Sequence, residues 1–330
     1  MPDIKILTES DLRHLVKLDL EVIGSIENAF ATLAKGNVVM PPILSMAIAD
    51  YNGEVDVKTA YVPGIDSFAI KMSPGFFDNP KIGLPSTMGL MILFSARTGV
   101  LEALLLDNGY LTDVRTAAAG AVAAKHLSRE DSEQVCIVGT GMQAQLQLKA
   151  LTLVRNIKVA TIWGRDNAKA ETLAESLSTE LNIKISATSN LEHAAREADI
   201  IVTATPSSTP LIKADWLQTG QHITAMGSDQ DHKNEIEAEC IDRADLYVAD
   251  RLSQTSKLGE LRSAIEAGVV DVNVSLPELG EIIAGKATRR SSPNDITIAD
   301  LTGTGLQDTA IATLARQRAQ LQSVGTLFQN

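Results

Sequence analysis

The sequence lacks the features that define several large classes of protein. Two of its 330 residues are cysteines, and neither Cys136 nor Cys240 has a second cysteine at the spacing of a metal or redox site. We interpret both as buried thiols in a reducing compartment. No run reaches the ~18 consecutive apolar residues of a membrane-spanning helix, and the N-terminal residues lack a signal-peptide core. We therefore expect a cytoplasmic protein.

Positive charge is also scarce. The chain has 29 lysines and arginines against 41 aspartates and glutamates, which gives a formal net charge of −12. An acidic surface repels phosphate backbones and anionic lipid, so we expect neither a nucleic acid nor a membrane as partner. A small anionic substrate would then need a local cluster of basic side chains. Apolar residues make up 45% of the chain, as in an ordinary globular protein.

The first third of the sequence predicts a mixed α+β region. A helix start lies at Thr8, and a second helix covers residues 25–33 and ends near Gly36. Alternating apolar runs separated by Gly, Pro and Asn follow, which is the pattern of strands joined by turns. The predicted strands are residues 54–62, 67–72 and 90–94.

From Thr112 onward the sequence alternates between strands and helices. Thr112 and Asp113 predict a helix N-cap before the alanine-rich stretch 116–127. Strands are predicted at residues 134–138, 159–163, 184–187, 200–204, 222–225, 246–249 and 296–299, with helices that include 168–181, 191–198 and 308–321. This alternation predicts an α/β fold with a doubly wound, parallel, Rossmann-type sheet beside the N-terminal α+β region.

A glycine-rich loop follows the strand 134–138. Gly139 permits a tight turn, Gly141 lets the backbone approach a pyrophosphate, and Ala144 lets the next helix pack closely on the strand. The N-terminus of that helix supplies free N–H groups to the phosphates. A glycine turn in a cofactor-free α/β domain is the alternative, but the strand before the loop and the amphipathic helix after it favour a dinucleotide site.

The end of the strand 159–163 bears on which dinucleotide binds. It is followed by Gly164, Arg165 and Asp166, and an arginine in this position can pair with the 2′-phosphate of NADP(H). We therefore expect NADP(H) before NAD(H). In the alternative interpretation Arg165 is a solvated surface charge, and Asp166 holds the ribose of NAD.

Segments spread over nearly the whole chain resemble the ornithine cyclodeaminase/μ-crystallin family. The most specific are residues 113–119, DVRTAAA, and residues 300–308, DLTGTGLQD; residues 69–71, 83–86, 138–144 and 225–229 also match. Among the branches of the family, residues 57–64 and 73–77 resemble members associated with ectoine utilisation. The family comprises NAD(P)-dependent proteins that act on amino and imino acids.

The resemblance implies two domains. Residues 1–114, completed by the C-terminal helix 305–330, would form a substrate-binding and dimerisation domain, and residues 115–304 would form the Rossmann NAD(P)-binding domain. The usual member of the family is a homodimer through its N-terminal domain. We therefore expect a homodimer that binds a small amino or imino acid.

The resemblance also implies the catalytic residues. Lys71 would bind the substrate carboxylate or transfer a proton, Arg115 would bind that carboxylate or the pyrophosphate, and Asp229 would bind the substrate amine or carry a proton. Without it, Lys71 would be an exposed edge lysine, Arg115 a surface arginine that caps its own helix, and Asp229 a helix N-cap. Ser86 is a further predicted substrate contact.

The predicted cofactor-binding residues come from the glycine loop and from the ends of later strands. They are Gly139, Thr140, Gly141, Met142, Gln143, Gly164, Arg165, Asp166, Thr205, Met226, Gly227, Lys233 and Thr302. We expect no metal site, because His232 has no second histidine at ligand spacing.

Two departures from the family pattern bear on the substrate. Lys58 stands where similar cyclodeaminases have a glutamate, and residues 42–45 lack the arginine that holds the carboxylate in many members. A lysine cannot act as an acidic proton carrier, but it can bind a second carboxylate. The pair of Lys58 and Lys71 therefore suits a dicarboxylic imine better than a diamine.

Three functions remain open from the sequence. The first is an NAD(P)H-dependent imine reductase or amino-acid dehydrogenase for a small α-imino acid, a class that includes dicarboxylic members such as iminosuccinate. The second is an ornithine cyclodeaminase-type ammonia lyase with tightly bound NAD. The third is a non-catalytic, NADP-dependent binding protein of the crystallin kind, which the combination of Lys71, Arg115 and Asp229 disfavours.

Overall fold

The computed structural model describes residues 3–329, and the chain divides into two units. The first unit comprises residues 1–116 and 304–330, and the second comprises residues 117–303. Each unit contains one seven-stranded sheet. In residues 3–329 no helix combines the length and the apolar character needed to cross a bilayer.

The strands and helices are numbered along the chain. The strands are β1 (Ile4–Thr8), β2 (Leu44–Ile48), β3 (Gly53–Ala60), β4 (Ser67–Phe76), β5 (Leu90–Ser95), β6 (Leu101–Leu106), β7 (Gln134–Val138), β8 (Val159–Trp163), β9 (Lys184–Thr188), β10 (Ile200–Thr203), β11 (His222–Ala225), β12 (Leu246–Ala249), β13 (Thr297–Asp300) and β14 (Thr326–Phe328). The helices are α1 (Glu9–Leu15), α2 (Leu20–Lys35), α3 (Tyr110–Leu127), α4 (Met142–Thr152), α5 (Asn167–Leu181), α6 (Leu191–Glu197), α7 (Ala238–Arg243), α8 (Leu252–Thr255), α9 (Glu260–Glu266), α10 (Leu279–Ile283) and α11 (Gly305–Leu321).

The sheet of the first unit has the strand order β14-β1-β6-β5-β4-β3-β2. The pair β1 and β6 is parallel, and the other neighbours are antiparallel. The predicted strands 54–62, 67–72 and 90–94 are confirmed as β3, β4 and β5. The sequence analysis named no strand at β1, β2, β6 or β14. Strands β2 and β14 are exposed along nearly their whole length, so they lack the alternation that predicts a half-buried strand.

The sheet of the second unit is parallel throughout, in the order β12-β13-β11-β10-β7-β8-β9. This confirms the predicted doubly wound fold. Along β7, Val135 and Ile137 belong to one apolar core cluster, while Cys136 and Val138 belong to another. Side chains that alternate along a strand point to opposite faces, so the sheet is buried on both sides.

The predicted start of the long helix before the glycine loop was wrong. The helix α3 begins at Tyr110, two residues before the expected cap Thr112, because the Asp107 carboxylate accepts a hydrogen bond from the Leu111 N–H at 2.8 Å. The same kind of cap, made by Asp19 to the Val22 N–H at 2.8 Å, starts α2 earlier than predicted. An acceptor upstream of a helix satisfies its first free N–H groups.

The C-terminal helix α11 packs against β3 and β4 of the first unit. It begins at Gly305, three residues before the predicted start at Asp308. The Thr309 hydroxyl donates to the Ala60 carbonyl at 2.9 Å and accepts from the Ala69 N–H at 3.1 Å. At Gly305, an added Cβ would lie 2.4 Å from the Thr59 carbonyl oxygen. The backbone of α11 therefore lies so close to β3 that no side chain fits there.

We expect Gly305→Ala to lower the free energy of unfolding by about 1–3 kcal/mol, because the new methyl group must displace the backbone of β3. Chemical denaturation measures this change. Gly24→Ala in α2 is the matched control, since an added Cβ there has nothing within 4 Å. That substitution should leave stability unchanged or raise it by about 0.5–1 kcal/mol. Equal stability of the two variants would contradict the close approach of α11 and β3.

Candidate functional site

The glycine loop of the second unit forms a tight turn between β7 and α4. Gly139 has a φ of 133°, and an added Cβ would lie 2.6 Å from the Ala204 carbonyl oxygen. Gly141 is the N-cap residue of α4 and makes no side-chain cap, and a Cβ built on it would meet nothing within 4 Å. The open space beside Gly141 and the uncapped helix end are the features that a pyrophosphate requires.

A cavity of about 230 Å³ lies beside this loop. Its lining includes Arg165 and Lys169, which bring two positive charges. The carboxylate of Asp166 caps α5 by accepting from the Ala168 N–H at 3.1 Å and the Lys169 N–H at 3.4 Å. The predicted residues Gly139, Thr140, Gly141, Gly164, Arg165, Asp166 and Thr205 all line this cavity. The lining therefore places two cations beside the glycine loop, where they can bind phosphate groups.

A buried glutamate, Glu235, joins two loops that contain predicted cofactor residues. Its Oε1 accepts from the Thr205 N–H at 2.6 Å and from the Thr205 hydroxyl at 2.7 Å, and its Oε2 accepts from the Gly227 N–H at 2.7 Å. Burial raises the pKa of the Glu235 carboxyl, and the hydrogen bonds that it accepts oppose that rise. Sequence reasoning missed Glu235, because it lies in a loop that matches no motif.

A second buried carboxylate fixes the turn at Thr302. Asp250 accepts from the Thr302 hydroxyl at 3.0 Å and from the N–H groups of Thr302 and Gly303 at 2.9 and 2.8 Å. The predicted cofactor residue Thr302 is thus held by its backbone and its side chain together. Glu235 and Asp250 both act as acceptors that hold loop backbones at the carboxyl ends of the parallel strands, where ligands bind in such sheets.

Asp229 lies in the loop after β11, and the helix N-cap interpretation of it was wrong. Residues 226–237 contain no helix, and the Asp229 carboxylate accepts from the Lys233 ammonium at 2.6 Å. The Asp229 side chain is 45% exposed, whereas that of Lys233 is 17% exposed. His232 is exposed and lies 3.5 Å from the Asp231 carboxylate. Within residues 3–329 no three His, Cys, Asp or Glu side chains are grouped as metal ligands.

The first unit gathers its predicted basic residues around one carboxylate, that of Asp308. The Lys71 ammonium lies 3.0 Å from its Oδ2, and the Arg115 Nε donates to its Oδ1 at 2.9 Å. Lys58 lies directly opposite Lys71 in the antiparallel pair of β3 and β4. Lys58, Lys71 and Arg115 are 8%, 2% and 4% exposed. The interpretations of Lys71 as an edge lysine and Arg115 as a surface arginine are therefore wrong.

The environment of this cluster changes the protonation of Lys71. Burial, and after it the charge of Arg115, lower the pKa of Lys71 to about 7, although Asp308 opposes the change. Burial alone would raise the pKa of the Asp308 carboxyl, but Lys71, Arg115 and Lys58 outweigh it and hold that pKa below its usual value. Asp308 is therefore charged at neutral pH, and Lys71 is poised to bind or release a proton there.

Two functional candidates of the first unit were missed, although the sequence placed them in a matching segment. Asp308 forms the centre of the cluster, and the Gln307 Oε1 accepts from the Arg115 Nη1 at 3.0 Å. Both residues belong to α11, about 190 positions after Arg115 in the chain. The predicted contact Ser86 lies in the loop between β4 and β5, where its carbonyl accepts from the Phe76 N–H at 2.7 Å.

Comparison with known proteins relates the whole chain to one family. The ornithine cyclodeaminase/mu-crystallin family profile matches residues 3–323. An uncharacterized cyclodeaminase of Sinorhizobium fredii is 60% identical over 331 residues, which cover 100% of both proteins.

Three solved structures have the same fold. Thermococcus litoralis Delta(1)-pyrroline-2-carboxylate reductase, in complex with NADH and L-proline, has a TM-score of 0.93 at 31% identity, covering 98% of this chain and 99% of that one. An archaeal alanine dehydrogenase dimer with bound NAD has a TM-score of 0.93 at 34% identity, covering 99% of both. Paracoccus denitrificans iminosuccinate reductase with NAD+ has a TM-score of 0.92 at 27% identity, covering 100% of both.

The Glu235 contacts predict a local effect of Glu235→Gln. An amide offers one acceptor oxygen where the carboxylate offers two, so the N–H of Thr205 or of Gly227 loses its acceptor. Loss of a buried hydrogen bond of this kind costs about 1–3 kcal/mol, so the affected amide should exchange its hydrogen roughly tenfold faster or more. Hydrogen exchange followed by mass spectrometry measures this. The exposed Glu239 in α7 provides the control Glu239→Gln, and equal exchange in both variants would refute the role of Glu235.

Proposed function

Because the chain belongs to the ornithine cyclodeaminase/mu-crystallin family, we propose that it is an NAD(P)H-dependent imine reductase or amino-acid dehydrogenase for a small α-imino acid. The observation that carries this proposal is the buried cluster of Lys58, Lys71 and Arg115 around Asp308. Buried cations are costly unless they bind anions, and an imino acid brings a carboxylate. In the second unit, the glycine loop and the adjoining cavity would hold the dinucleotide.

The proposed roles of the side chains follow from their charges. Lys71 and Arg115 would bind the substrate carboxylate, and a carboxylate beside Lys71 would favour its protonated form. Asp229 would hold the proton of the substrate nitrogen. Its carboxylate already accepts a cationic N–H donor, the Lys233 ammonium, at 2.6 Å. The dinucleotide supplies the hydride, while the protein binds and orients the substrate.

The substrate that we favour is dicarboxylic. Lys58 adds a third cation to the cluster, and it lies opposite Lys71 on the neighbouring strand. A diamino acid would bring its own ammonium group into this positive field and be repelled. The fold similarity to iminosuccinate reductase is compatible with such a substrate. We further propose a homodimer, by analogy with the archaeal alanine dehydrogenase dimer.

The reaction can be tested with a panel of imino acids and both reduced cofactors. Oxaloacetate or pyruvate with ammonia, and preformed Δ1-pyrroline-2-carboxylate, are mixed with the protein and NADH or NADPH. We expect oxidation of the cofactor, followed by its absorbance, with the highest kcat/KM for oxaloacetate and ammonia. The reverse reaction should reduce the cofactor in the presence of L-aspartate. No oxidation with any member of the panel would refute the proposed function.

Lys58→Met tests the dicarboxylic preference. Losing a charged partner of one carboxylate should raise KM for the dicarboxylic imine about 10-fold to 100-fold, because a hydrogen bond to a charged group contributes about 1.5–3 kcal/mol. KM for a monocarboxylic imine should hardly change. Lys81→Met, at an exposed lysine of the same unit, is the control. Equal losses for both kinds of imine would show that Lys58 does not select the second carboxylate.

A cyclodeaminase is the second candidate, because the 60% identical relative carries that name. It would release ammonia from ornithine without a net change in the cofactor. The lysine at position 58 argues against it, since this residue cannot be an acidic proton carrier. Ammonia release from ornithine without imine reduction would favour this candidate over the reductase.

The cavity beside the glycine loop predicts the cofactor preference. Arg165 and Lys169 line it, and the Asp166 carboxylate is used as a helix cap. We expect NADPH to be preferred and Arg165→Asp to shift the ratio of kcat/KM values toward NADH by about tenfold or more, because the new carboxylate repels a 2′-phosphate. The control Arg243→Asp changes an arginine of α7 that is outside the cavity lining. If Arg165→Asp leaves the ratio of kcat/KM values for NADPH and NADH unchanged, the NADP(H) assignment is refuted.

A further inference from the structure

The first turn of α11 has the sequence of a capping box that is not closed. Thr304 is the N-cap residue and Gln307 is the third residue of the helix, as in the pattern Ser/Thr-x-x-Glu/Gln. Thr304 has the extended backbone of an N-cap, with φ −115° and ψ 153°, but its side chain makes no capping hydrogen bond. The Thr304 side chain is therefore not used for capping.

Gln307 is fully buried, and half of its amide lacks a partner. Its Oε1 accepts from the Arg115 Nη1 at 3.0 Å, and since a guanidinium has only donors, this contact fixes the orientation of the amide. Its Nε2 has no hydrogen-bond partner in the part of the chain that the structure describes. An unpaired donor in a buried position is costly and rare, so it indicates an acceptor that binds there.

Thr304 presents a second such group one helical turn earlier. Its hydroxyl oxygen is fully buried and also lacks a partner within residues 3–329. Positions three apart lie on the same side of a helix, so the Thr304 hydroxyl and the Gln307 amide lie on one face of α11. The positive end of the helix dipole is at the same place, which favours a negative ligand.

We propose that the first turn of α11 is a carboxylate subsite, in which the Thr304 hydroxyl and the Gln307 Nε2 donate to one carboxylate of the substrate. This inference rests on the proposed function and adds two substrate-binding residues to it. Asp308 in the same turn neutralises part of the charge of Lys71 and Arg115, to which it is paired at 3.0 and 2.9 Å. A singly charged carboxylate therefore suits the subsite better than a doubly charged phosphate.

The subsite can be tested by the binding of succinate, an unreactive dicarboxylate, to the full-length protein in isothermal titration calorimetry. Gln307→Glu keeps an acceptor for Arg115 but replaces the donor with a negative charge, and we expect it to weaken succinate binding 100-fold or more. Gln307→Met should weaken binding about 10-fold to 100-fold. Thr304→Val should weaken succinate binding about tenfold, whereas Thr304→Ser, which keeps the hydroxyl, should retain the wild-type affinity. Gln317→Glu, at an exposed position of the same helix, should leave the affinity unchanged.

The outcomes separate this proposal from the reaction that it rests on. Unchanged affinity in folded Gln307→Glu and Gln307→Met, or no succinate binding by the wild type, overturns the subsite. Weakened binding in these variants supports it, even if the wild type reduces no imine, in which case only the proposed reaction fails. If the variants do not fold, the side-chain amide ¹⁵N spectra of the wild type with and without succinate test the subsite instead. A glutamine NH₂ pair that shifts with succinate supports the subsite, and the absence of any such shift overturns it.

Discussion

The paired contacts of the Asp308 carboxylate with Lys71 and Arg115 join three separate elements of the first unit. Asp308 comes from α11, Lys71 from β4 and Arg115 from the first part of α3. All three charges are buried, so each depends on the others to offset the loss of water. Removing one partner of such a group costs about 3–5 kcal/mol, because the remaining charge is left unpaired. We propose that the same group provides the positive field in which a substrate carboxylate binds.

The second unit uses buried carboxylates in another way. Glu235 and Asp250 accept hydrogen bonds from loop backbones and threonine hydroxyls, whereas Asp308 pairs with cations. Burial raises the pKa of the Glu235 carboxyl, while the cations around Asp308 hold its pKa below the usual value. Buried carboxylates thus hold the loops at the strand ends in the second unit, and in the first unit a buried carboxylate balances the charge of the cation cluster.

The fold by itself does not decide the chemistry of this protein. Solved reductases and dehydrogenases share it, and the 60% identical relative is named a cyclodeaminase. The difference must come from a few side chains in a common framework. We propose Lys58 as such a side chain, because it adds positive charge beside Lys71.

The sequence by itself determined the features that depend on local pattern. Strand and helix periodicity predicted the parallel sheet, with identical bounds for β7, β8, β11 and β12, and the family segments named Lys58, Lys71 and Arg115. The short strand β14 was not predicted, because it pairs with β1 at the other end of the chain. The start of α3 was misplaced because Asp107, and not the predicted cap Thr112, accepts from the first turn of the helix. Tertiary structure alone decided that Asp308 and Gln307 meet Arg115 across about 190 residues, and that a capping-box sequence stays open. The physical reason is that burial and charge pairing depend on which distant segments pack together, and local propensity carries no information about that.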